Sequence, residues 1–146
     1  MLKIVPLLFL LILLASFAYV VRCGRWPERS GLAIIMLGSI ATALVGRSDL
    51  WRGTEIGILA VDVVVLIAFL AIVALTDRFW PLWVSAFQLV SVTSHLARLL
   101  KPSTLPLAYA FAEQVWSYAM IAVVIGSVAW QRRYARSSFS SKGPSA

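Results

Sequence analysis

The stretch Ile56-Gly57-Ile58-Leu59-Ala60-Val61-Asp62-Val63-Val64-Val65-Leu66-Ile67-Ala68-Phe69-Leu70-Ala71-Ile72-Val73-Ala74-Leu75 carries one charged side chain, Asp62. In water, so many Val and Ile residues in a row would read as a buried strand. Length overrides that preference. A strand typically runs about 5 to 6 residues, whereas roughly 20 apolar residues are what an α-helix needs to cross the hydrocarbon core of a bilayer. Lipid offers no partners for backbone N–H and C=O groups, so a lone spanning segment must pair them internally, as only a helix does. The expected class is therefore all-α, an integral membrane helical bundle.

Working outward from this block, four others of comparable character appear: 4–21, 31–46, 79–100 and 107–130. With 56–75 they predict five transmembrane helices in one domain over 1–130. The chain as a whole agrees: of 146 residues, 61% are hydrophobic and 13% charged, far from an ordinary soluble composition. The first block resembles a signal peptide, with Lys3 before it and Ala15-Ser16-Phe17-Ala18 offering small residues for cleavage. Its apolar run continues through Tyr19 to Val21, which favours a retained helix; cleavage would leave four. In the second block Gly38, Thr42 and Gly46 recur every four residues and lay a strip of small side chains along one face, suited to close helix packing in lipid. Phe79-Trp80-Pro81-Leu82-Trp83 opens the fourth block with proline in the first turn, where its missing N–H is harmless.

The formal charge of +7 raises the question of nucleic acid. Placement answers against it. Lys and Arg lie at block ends and in the tail rather than on a basic face with interleaved aromatics, as do Trp26, Trp51, Trp80, Trp83 and Trp130, at the depth where indoles meet headgroups. With five spans, Arg22, Arg25, Arg29, Arg78, Arg132, Arg133, Arg136 and Lys142 share one side, against Lys3, Arg47, Arg52, Arg98 and Lys101 on the other. The positive-inside rule then puts the N-terminus outside and the C-terminus in the cytoplasm. Residues 131–146 read as a basic, Ser-rich mobile cytoplasmic tail.

Ionisable residues within spans are the candidates for chemistry, because a charge at the bilayer centre costs about 2.5 to 3.5 kcal/mol on insertion scales. Asp62 on the third helix, His95 and Arg98 on the fourth and Glu113 on the fifth fall within about 10 Å of one membrane face when consecutive helices alternate direction. Gln88, Ser91, His95 and Arg98 recur at spacings of three and four, as one helical stripe; Tyr109, Glu113 and Ser117 form another. Turned inward, the two stripes bring Arg98 or protonated His95 to Glu113 and Asp62. Such a cluster is a polar clamp that fixes which helices meet, or the lining of a hydrated site that binds or relays something.

Other chemistry finds no support. One His and one Cys, His95 and Cys23, allow no multidentate metal site and no bis-His haem within one copy, so neither metal nor cofactor is expected. No Gly-rich phosphate loop and no Gly-x-Ser-x-Gly elbow is present, and Ser117 is the only reasonable nucleophile for a Ser–His hydrolase. The sequence reads as non-enzymatic.

Phe79-Trp80-Pro81-Leu82-Trp83, Thr93-Ser94-His95-Leu96 and Trp116-Ser117-Tyr118 resemble a group of uncharacterised small polytopic proteins of bacterial inner membranes, over roughly the last two helices. The resemblance implies that membrane and no activity. Three readings of function follow. The first is a non-catalytic accessory or assembly subunit packing against a larger membrane partner, or against copies of itself. The second is a small proton-coupled transporter built on Asp62, His95, Arg98 and Glu113. The third is a quinone or lipid-headgroup site using His95, Glu113, Tyr109 and Trp116.

Overall fold

The computed structural model describes residues 4–46, 54–100 and 106–140, with side chains described for 7–46, 56–100 and 115–135. Among the described residues it contains five α-helices and no strand: α1 Ile4–Cys23, α2 Trp26–Val45, α3 Thr54–Leu75, α4 Trp80–Leu100 and α5 Pro106–Ser140. α1 packs on α2, α2 on α3, α3 on α4 and α4 on α5, while α5 closes the bundle against both α1 and α2. The α3/α4 pair is the most extensive of these contacts.

Each helix turns one apolar stripe inward, at spacings of three, four or seven on α1 to α4 and with the adjacent pair Met120 and Ile121 added on α5. Leu13 and Val20 come from α1, Leu32 and Ile35 from α2, Val65, Phe69 and Ile72 from α3, Trp80 and Val84 from α4, and Met120, Ile121, Val124 and Val128 from α5. The outward faces are apolar as well. On α3, Val64, Ile67 and Leu70 are exposed beside the buried positions, and on α1, Leu7, Leu8, Leu10, Leu11 and Leu14 are exposed together. Trp26–Val45 and Ile56–Leu75 are long and apolar enough to cross a membrane; Leu7–Cys23 is a shorter apolar helix. α4 does not join them, because Gln88, Ser91, Thr93, Ser94, His95 and Arg98 interrupt its apolar character.

Two helix boundaries differ from the sequence expectation by more than two residues. α2 begins at Trp26, five residues before the expected Gly31, so only Gly24 and Arg25 separate it from α1. Its first turn holds Pro27 and Glu28, and the Glu28 carboxylate accepts the Arg25 backbone N–H at 3.1 Å. This is an ordinary helix start: proline where no N–H is needed and an acid reaching back to the uncapped backbone. The same Trp-Pro pair opens α4 at Trp80-Pro81. α5 continues past Trp130 to Ser140, through a segment expected to be a mobile tail. Gln, Arg and Ala are good helix formers, so the helix does not have to end where the apolar block does.

The glycine strip expected along α2 is only partly a packing surface. A Cβ on Gly38 would come 2.8 Å from a methyl of Val65, so α2 and α3 touch there through the missing side chain. Gly46 lies beyond the helix as its C-cap, and an added Cβ there would meet only the Thr42 carbonyl oxygen of its own chain turn. Thr42 is half-buried and accepts the Gly46 N–H at 2.9 Å. Closer approaches occur at Gly31, against the Trp80 indole, and at Gly57, against Val45.

Candidate functional site

Asp62, Gln88, Ser91 and His95 come together in the α3/α4 interface. Gln88 donates its Nε2–H to Asp62 Oδ1 at 3.0 Å and lies 3.2 Å from the Asp62 backbone carbonyl. Ser91 Oγ donates to Asp62 Oδ2 at 3.0 Å, and His95 Nε2 lies 3.2 Å from the same oxygen. The three donors are one α4 stripe because spacings of three and four repeat on one helical face. Side-chain exposure is 15% for Asp62 and 5% for His95. A carboxylate this enclosed is tolerable only with its lone pairs satisfied, and here both oxygens accept hydrogen bonds.

Arg98 is half-buried one turn beyond His95, and Ser117 is half-buried on α5. The side chains of Tyr109 and Glu113 lie outside the described residues, as do Arg47, Trp51, Arg52 and Lys101. Trp116 is half-buried, stacked on Phe87 with ring centroids 5.5 Å apart.

A second buried carboxylate, not expected from the sequence, lies at the other end of the bundle. Glu28 is 0% exposed. Its Oε1 accepts the Trp80 indole N–H at 3.1 Å and Gln131 Nε2–H at 2.8 Å, while Oε2 accepts the Arg25 backbone N–H. One side chain thus joins α2, α4 and α5. Trp80, at the first residue of α4, is buried with its indole N–H on a carboxylate inside the bundle. Trp26, Trp83 and Trp130 are exposed. The sequence signal for Glu28 was the Trp-Pro start of α2, shared with α4, which places an acid inside a helix rather than in a basic loop.

Among the described residues, no group of three or more His, Cys, Asp or Glu side chains could hold a metal ion. No protein-family model, curated protein or solved structure matches the chain.

Proposed function

We propose that this is a five-span integral membrane protein of bacterial inner-membrane type, non-catalytic, which acts as an accessory or assembly subunit packing against a larger membrane partner or further copies of itself. One observation carries the reading: apolar side chains cover the outside of the bundle as well as its inside. Only 22% of the apolar window of α2 and 17% of that of α3 is buried within the chain. A helix that is apolar all round and mostly uncovered needs an apolar surrounding, whether lipid or another protein. Hydroxyls support the same environment by bonding back to their own helices, Ser39 to the Ile35 carbonyl, Thr93 to Leu89 and Ser127 to Val124. Glu28 and Asp62 are both held by donors from neighbouring helices, which is what a structural clamp requires.

Extraction in mild detergent, followed by native mass spectrometry of the intact assembly, tests this reading. A stoichiometric membrane partner or a defined homo-oligomer is expected. A monomer with no companion, recovered under conditions that preserve known complexes, overturns the accessory role.

A second reading, proton-coupled transport, is favoured by the His95–Asp62 pair, since imidazole is the side chain that ordinarily titrates near neutral pH. Proteoliposomes would then show proton flux that His95→Gln abolishes while the fold is retained.

A further inference from the structure

At the end of the bundle that holds Glu28, three arginines from three separate segments line one groove of about 460 Å³: Arg25 from the α1–α2 turn, Arg78 from the α3–α4 turn and Arg132 from α5. Cys23, Gln131 and the aromatic pair Trp130 and Tyr134 complete its wall. Among the described residues no carboxylate lies within ion-pair distance of any of the three guanidinium groups. Glu28 is the buried acid nearby, and its two oxygens are occupied by N–H donors; Asp77 is exposed in the α3–α4 turn and does not line the groove. The concentration of positive charge is therefore not neutralised by the protein's own described acids.

We propose that this groove binds the headgroup phosphate of an anionic phospholipid, an inference that rests on the membrane reading above. Guanidinium groups present planar forks of N–H donors matched to phosphate oxygens. Basic pockets between helices at the cytoplasmic face are the kind of site that takes acidic headgroups. Two contacts hold part of the groove's wall in place. Gln131 is tied to Glu28, which fixes α5 against α2, and Arg132 donates one N–H to Cys23 Sγ at 3.0 Å, which holds its guanidinium against the wall.

The rim argues for a lipid rather than a free phosphate ion. Trp130 and Tyr134 are 63% and 59% exposed, with ring centroids 4.9 Å apart, in the arrangement amphipathic aromatics adopt at headgroup depth. Exposed Leu75 and Phe79 flank the α3–α4 turn that carries Arg78, giving apolar surface for acyl chains beside the charge. A neighbouring groove of about 540 Å³ shares Arg25 and Arg78 and adds Arg29, Thr76 and Trp26, extending the cationic surface along the same face.

The full chain, purified in neutral detergent, is titrated with short-chain phosphatidylglycerol, phosphatidylcholine of equal acyl length, and inorganic phosphate, with melting temperature as readout. Phosphatidylglycerol is expected to raise it saturably, and the other two are not. Arg78→Gln with Arg132→Gln is expected to weaken the apparent affinity about ten-fold or more. Arg22→Gln with Arg133→Gln removes equal charge from residues outside the groove and is expected to weaken it less than about three-fold. Equal effects of the two lipids, or equal losses in the two variants, overturn the site. Equal stabilisation by inorganic phosphate makes it an ion site and overturns the lipid assignment. Native mass spectrometry of retained phosphatidylglycerol on single Arg78→Gln provides the same comparison if the double variant fails to fold. A chain released from membranes by alkaline wash contradicts the membrane reading itself, whereas a retained chain that ignores headgroup charge contradicts only this proposal.

Discussion

Two carboxylates tie the helices together, and each supports a prediction. Asp62 accepts from Gln88, Ser91 and His95, so removing it leaves several buried donors unpaired at once. Asp62→Leu is expected to destabilise the fold by about 3 kcal/mol, as breaking a buried pair does. The cycle of Asp62→Asn, His95→Gln and the double change should show a coupling energy of about 1 kcal/mol or more, read from unfolding in mixed micelles. Strictly additive effects would mean the pair does not interact. Glu28→Ala strands the Trp80 and Gln131 donors and is expected to cost about 2 to 3 kcal/mol, with Trp80→Phe costing roughly half; equal stability of Glu28→Ala and the parent would remove the clamp. Asp62 and its α4 donors were legible in the sequence because their spacing is helical and charged residues in an apolar block stand out. Glu28 was not, because three nearby arginines made its segment look like an interfacial loop.

Helix packing depends on where side chains are missing. Gly31→Leu and Gly38→Leu each place a branched side chain against a buried neighbour, Trp80 and Val65 respectively, and are expected to destabilise by about 2 kcal/mol. Gly126 faces open space, so Gly126→Leu should leave the melting temperature of the isolated chain unchanged. Loss of a defined assembly in Gly126→Leu, with the monomer intact, would instead mark that face of α5 as part of a partner interface. Five helices could be counted from block lengths alone, since long apolar runs have few alternatives. The start of α2 and the end of α5 could not be read from apolar length, because polar residues with good helical chemistry extend both helices beyond the apolar stretch.

For the whole molecule, an apolar exterior surrounds internal polar ties, the arrangement expected if, as proposed, lipid is the solvent. On that proposal the positive-inside rule places the end bearing Arg25, Arg78 and Arg132 in the cytoplasm. Reporter fusions placed after Gly46, Arg78, Leu100 and Arg136 measure both at once. Cytoplasmic signal is expected after Arg78 and Arg136 and external signal after Gly46 and Leu100, all in the membrane fraction. The same compartment at all four positions, or a soluble chain, would contradict the proposal.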